Sequence, residues 1–141
     1  MLNAKPPPIS ISSLDLERLE RLLDSPAAST TERTQLDRLL RELERAEVLE
    51  PQQVPATLVT MNSTVRCREQ ASGREYQLTL VYPHDLDGHS DKVSVLAPLG
   101  SALLGLSVGQ AIDWPAPGGK QLRIEVLELL FQPEAAGHYH R

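Results

Sequence analysis

A single cysteine, one tryptophan, one phenylalanine and three tyrosines are all that 141 residues contain of these types. With Cys67 alone no disulfide can close within the chain, so the fold must stand on packing, and a reducing compartment is expected. Aromatics at 4 % weigh against any function that needs several rings converging on one ligand. No apolar run approaches the ~20 residues that a membrane-spanning helix requires. Residues 1–8 carry one lysine and three consecutive prolines but no long apolar stretch, which speaks against a secretory signal; the expected location is cytoplasmic, with no membrane partner. A surplus of positive charge is also missing, since the formal net charge is −5. Phosphate polymers reward a basic face, so direct sequence-specific DNA binding is not expected and a protein partner fits better.

Glycine is absent from residues 11–48, where Pro26 is the one proline. Leu, Glu, Arg and Asp fill that stretch instead. Leu16, Leu19, Leu22 and Leu23 recur at helical spacing and predict a helix over about residues 13–23. Ser12 with Asp15 reads as a capping box in which Asp replaces Glu. Pro26 ends this helix, because proline disfavours helical geometry in the residue before it. Ser29 with Glu32 is a full capping box for a second helix, continued by Leu36, Leu39, Leu40, Leu43 and Ala46. Two amphipathic helices around a polar tip predict an antiparallel helical hairpin, a short coiled coil, within residues 1–50. So small a hairpin buries little surface and should lean on the rest of the chain. Pro51 and Pro55 mark a linker at residues 51–56.

From residue 57 to 141 the periodicity shifts toward two, which predicts an antiparallel sheet domain with one short helix and makes the whole chain α+β. Residues 58–61 and 65–69 read as strands, Ala71-Ser72-Gly73 as a hairpin turn, and Tyr76, Leu78 and Leu80 as one face of another strand. Leu122, Ile124 and Val126 share a face, then Leu127 and Leu129 take the opposite phase; a bulge, or cover on both faces, explains that slip. Between these, Val93, Val95 and Leu96 close a strand, Pro98-Leu99-Gly100 forms a rigid turn, and residues 101–104 make about one helical turn. Gly105 and Gly109 bracket Leu106 and Val108 before Ile112 and Trp114 begin a new strand. Pro115-Ala116-Pro117-Gly118-Gly119 is a further turn.

Several groups have chemical potential. His84, Asp85, Asp87, His89 and Asp91 lie in one polar loop, but their order departs from calcium-loop spacing, and zinc prefers ligands on rigid elements. A solvated loop is expected, with no metal and no cofactor. His138 and His140 lie close to the last residue, and Cys67 alternates with Val65 as a core filler. Pro98-Leu99-Gly100 alone is ordinary turn chemistry.

Taken together, Pro98-Leu99-Gly100-Ser101-Ala102-Leu103-Leu104-Gly105 with Val108-Gly109, preceded by a Leu-rich hairpin, resembles the GreA/GreB family of bacterial transcript cleavage factors. Three further segments are similar to a short member of that family: Val59-Thr60-Met61-Asn62-Ser63, Thr79-Leu80-Val81-Tyr82-Pro83, and Val126-Leu127-Glu128-Leu129 with Gln132-Pro133-Glu134-Ala135-Ala136-Gly137. The resemblance implies an FKBP-like C-terminal fold and binding to RNA polymerase near its secondary channel. It also implies a docking role for Ala97, Pro98, Leu99 and Gly100, extended to Ser101 and Leu103. Cleavage factors of the family carry adjacent acids at the hairpin tip, which help hold a catalytic magnesium ion. Here the tip offers Asp24 and Glu32, eight positions apart, whereas hard cations need clustered carboxylate oxygens. A second helix over about residues 32–49 would reach only roughly 27 Å. The expectation is a noncatalytic regulator with no catalytic residue, competing with GreA/GreB-type factors. The alternatives are a weak transcript-cleavage factor or an FKBP-type prolyl isomerase, the latter requiring Tyr76, Tyr82, Trp114 and Phe131 to converge.

Overall fold

The first strand, β1 (Ser10–Ser12), runs directly into helix α1 (Ser13–Leu22), and α2 spans Thr30–Leu43. These assignments come from a computed structural model that describes residues 9–24, 29–86, 88, 91–115 and 121–137. The Ser12 hydroxyl accepts the Asp15 N–H at 3.0 Å and so satisfies one donor at the start of α1. At α2 the reciprocal box is complete: Ser29 Oγ accepts the Glu32 N–H at 3.1 Å, and Glu32 Oε1 accepts the Ser29 N–H at 3.0 Å.

The first fifty residues are not helical throughout. Glu47–Leu49 forms strand β2, which pairs parallel with β1, Ile11 opposite Val48. The second helix therefore stops at Leu43 instead of continuing to residue 49. Turning the chain into β2 gives β1 a partner for its backbone groups, beginning with the Glu47 N–H donated to Ile9 O at 3.0 Å. Fourteen helical residues remain, about 21 Å of length.

The larger sheet comprises β3 (Thr64–Glu69), β4 (Glu75–Val81), β5 (Lys92–Ser94), β6 (Ala111–Pro115) and β7 (Gln121–Phe131), in the order β5-β4-β3-β7-β6, with α3 (Pro98–Leu103) between β5 and β6 in the chain. It is mixed, not purely antiparallel as the sequence predicts, because β4 and β5 pair parallel. A tight turn after Val81 would have reversed the chain. Instead Pro83 opens a single 3₁₀ turn at Pro83–Asp85, and the long connection returns the chain to start β5 in the same direction as β4. Residues 58–61 make one bridge, Leu58 to Ser107, in place of a strand. The phase slip in the last strand is real. Arg66 lies opposite Glu128 and Cys67 opposite Val126, so Leu127 is the extra residue, and a second irregularity leaves out Leu130.

Leu19, Leu36, Leu39 and Leu43 from the helices share one apolar cluster with Met61, Val65, Leu80, Leu103, Ile124 and Val126 from the sheet side. Each such burial is worth ~1.5–3 kcal/mol, so the helical segment does lean on the sheet. Gly105 permits a close approach of the β1 backbone. Its φ is +87°, and a Cβ there would sit 3.0 Å from Ile9 Cβ and from Ser10 O. Cys67 lies wholly inside, where burial pushes its thiol up to about 11, as expected of a core filler.

Candidate functional site

Helix α3 takes in the whole Pro-Leu-Gly run, so residues 98–100 form its first turn, and the turn before it lies at residues 94–97, closed by the Ala97 N–H donated to Ser94 O at 3.0 Å. Ala97, extended at φ −70° and ψ 151°, holds the N-cap position, and Pro98 follows at the position where a fixed φ and a missing N–H do no harm. The six residues then divide by direction. Leu103 is fully buried in the core. Gly100 is pressed so close to the preceding strand that a Cβ would lie 2.0 Å from Ser94 O. Ser101 ties the helix back, its hydroxyl donating to Val95 O at 2.7 Å. Pro98 is exposed, and Ala97 and Leu99 are half-buried.

This outward edge separates two apolar recesses. Pro98 and Ser101 border one of about 330 Å³ against α2, where Leu39 and Leu43 form a wall. Leu99 borders another of about 330 Å³ over the sheet, with Tyr76, Leu78, Val93 and Leu122. Leu99 thus has apolar neighbours on the sheet side and Pro98 on the helix side.

Beyond α1, Asp24 is exposed and its N–H closes the end of the helix onto Arg21 O at 3.1 Å. Glu32 spends its carboxylate on the capping box described above. Residues 25–28 between them lie outside the described residues.

One arrangement escapes the sequence. Asp15, 1 % exposed, extends its carboxylate from α1 to the loop before β3, where Oδ2 accepts the Met61 N–H at 3.1 Å. In the same loop, Thr60 Oγ1 donates to Glu134 Oε1 at 2.7 Å, and the Thr60 and Ser63 hydroxyls are 2.8 Å apart. Tyr82 closes the cluster from the end of β4, 4 % exposed. Burial, reinforced by the negative charge of Glu134, pushes the Asp15 carboxyl up to about 7 against the opposing pull of the Met61 N–H and Arg18. The Tyr82 hydroxyl is raised well above its ordinary value, first by burial and then by Asp15. Gln132 fastens the same tail to the segment before β3, Nε2 donating to Pro55 O at 2.7 Å and Leu58 O at 2.6 Å. The three segments 59–63, 79–83 and 126–137 that carry the resemblance therefore converge around Asp15. The only signal in the sequence is the spacing from Ser12, which reads as a local cap and conceals a partner 46 residues away.

In the polar loop, His84 Nε2 lies 3.6 Å from Asp85 Oδ2, and the His84 ring stacks on Tyr82 with centroids 5.8 Å apart. Asp91 is exposed, and its carbonyl accepts the Thr79 N–H at 2.7 Å. Asp87, His89, His138, His140 and the 116–119 part of the predicted turn lie outside the described residues, and so does the side chain of Trp114. Among the described residues no group of three or more His, Cys, Asp or Glu side chains is placed to hold a metal ion, and no helix is long and apolar enough to cross a membrane.

Comparison with known proteins agrees with this geometry. A family model described as transcription elongation factor GreA/GreB, C-terminal, matches residues 54–130. A second, described as the Rnk N-terminus, matches residues 7–49. The chain is 46 % identical over 133 residues to the regulator of nucleoside diphosphate kinase of Escherichia coli strain K12, covering 94 % of this chain and 96 % of that protein. It is 34 % identical over 84 residues to transcription elongation factor GreA of Flavobacterium johnsoniae, covering 60 % of this chain and 52 % of that one. A solved structure of a prokaryotic transcription elongation factor GreA/GreB from Nitrosomonas europaea is similar at 52 % identity and a TM-score of 0.70, covering 89 % of this chain and 99 % of that chain.

Proposed function

This chain belongs to the GreA/GreB transcription elongation factor family, with an N-terminal segment of the Rnk type, and on that premise we propose that it is a noncatalytic regulator that docks on RNA polymerase. It binds near the secondary channel through α3. Pro98 and Leu99 meet the partner, Ala97 and Ser101 flank them, and Gly100 and Leu103 hold the helix at a fixed height. In that position it competes with GreA/GreB-type cleavage factors. The effect on nucleoside diphosphate kinase named in the Escherichia coli relative then follows indirectly, through transcription in the cytoplasm. In this reading residues 1–50 form an antiparallel hairpin, 51–56 a linker and 57–141 an FKBP-like domain.

The observation that carries the docking role is the exposed Pro98 at the start of a helix braced from behind by Gly100 and Leu103. An apolar edge on a rigid support loses little conformational entropy when covered. The noncatalytic half rests on the tip. Glu32 is engaged as a cap, Asp24 is eight positions away, and a 14-residue helix gives about 21 Å of reach.

Retention of the chain on immobilised core polymerase tests the reading. Pro98→Glu should weaken retention about tenfold or more while leaving the melting temperature unchanged, since a carboxylate suits the first turn of a helix. Unaltered retention of that variant would remove the site, and failure of the unsubstituted chain to bind would remove the partner.

A further inference from the structure

Asp15 stands where a single proton bears on how the helical segment meets the rest of the chain. The side chains gathered around it lie outside the strands of the large sheet: Thr60 and Ser63 precede β3, Tyr82 follows the end of β4, and Glu134 follows the end of β7. Asp15 reaches into this cluster from α1, is 1 % exposed, and accepts the Met61 N–H at 3.1 Å. Glu134, also buried, is tied to the same loop by the Thr60 hydroxyl at 2.7 Å. Two buried carboxyls thus hold one loop, the first from the helical side of the joint and the second from the sheet side.

The charges around Asp15 do not balance its own. Arg18, on the same helix, is the cation that faces it, and Glu134 is the like charge. The Tyr82 hydroxyl engages both Asp15 and Arg18, so the guanidinium is shared. The Ser12 hydroxyl and the Met61 N–H favour the ionised form, yet burial outweighs them and pushes the carboxyl up to about 7. Further out, the His84 ring stacks on Tyr82 with centroids 5.8 Å apart. If α1 lifts from the loop, water reaches the carboxyl and its hold on the proton returns to the ordinary 3.8. Seating α1 therefore takes up a proton, and each pH unit between about 4 and about 7 favours the lifted form about tenfold. Helices shorter than ~12–15 residues are marginal on their own in water, so the ten residues of α1 depend on this seat. The five strands, by contrast, pair with one another and not with Asp15.

We propose that the contact of α1 with the loop before β3 is a proton-dependent latch: it is closed while Asp15 is protonated, and loss of that proton lets α1 lift while the five-stranded sheet stays paired. The latch does not involve α3, so it is tested on the full chain without polymerase.

The full chain, labelled with ¹⁵N, is followed between pH 5 and pH 8. The Met61 amide, which donates to Asp15, should titrate with a midpoint near 7. Backbone hydrogen exchange, with intrinsic rates divided out, should show α1 opening about a hundredfold more often at pH 8 than at pH 5. At pH 8 that opening should also be about tenfold or more as frequent as opening of β3 and β7. Asp15→Asn, which keeps an oxygen for the Met61 N–H, should abolish the hundredfold rise, whereas His84→Gln should preserve it. A Met61 amide that does not titrate overturns the latch. So does a rise that survives Asp15→Asn or vanishes in His84→Gln, or a single opening frequency common to α1 and the sheet.

Discussion

Asp15 and Gly100 show how single positions act here. The Asp15 carboxyl moves from an ordinary value of 3.8 to about 7 on folding, so folding favours its protonated form. Stability that depends on the neutral carboxyl is fully present below about pH 4 and is lost as pH rises through about 7. Asn at this position still offers an oxygen to the Met61 N–H but carries no charge. Urea unfolding of the unsubstituted chain and of Asp15→Asn at pH 5 and pH 8 should show the variant gaining on the order of 1–3 kcal/mol relative to the original as pH rises. Parallel pH profiles would contradict this. Gly100 was legible as a special position, but for another reason than a turn. Its glycine is required by the nearness of Ser94 O, so Gly100→Ala should lower stability by about 2 kcal/mol or more in the same assay. A loss below ~0.5 kcal/mol would mean that the strand can yield.

Elements with many residues and a clear period were readable. The leucine spacing with Ser12, Ser29 and Glu32 marked both helices to within a residue or two at their starts, and the shift from Val126 to Leu127 marked the bulge. The short strands β1 and β2 were not readable, because three residues each hold no period, and the strand read at Val93, Val95 and Leu96 is present only as β5, which ends at Ser94. Their parallel pairing depends on partners far along the chain, which local propensity does not encode. The candidate site divides in the same way. Pro98 and Gly100 announce a constrained segment, whereas the direction in which Leu99 and Leu103 point follows only from the packed helix. Glu32 makes a test at this scale. If it serves α2 as a cap, Ser29→Ala should lower stability by about 1 kcal/mol, and Glu32→Gln, which can rebuild the box, by clearly less. Equal losses in thermal melts would point to a different job for the Glu32 carboxylate.

At the scale of the molecule, the helical segment and the sheet are joined by a common apolar cluster, by the Asp15 contact to Met61, and by the β1 backbone lying against Gly105. The joint fixes α1 and α2 against the body that carries α3, so the proposed binding through α3 would also set the direction of the two helices. In the proposed reading, a short arm held this way, with Glu32 at the start of the second helix engaged as a cap, occupies a site without bringing catalytic groups to it. The most direct measurement uses stalled, backtracked RNA polymerase complexes with end-labelled transcript. Added alone, the chain should leave the RNA at full length. Added with a GreA-type factor, it should slow cleavage in proportion to its concentration, and Pro98→Glu should relieve that inhibition. Shortening of the transcript by the chain alone, or cleavage by the GreA-type factor undiminished at saturating amounts, would contradict the account.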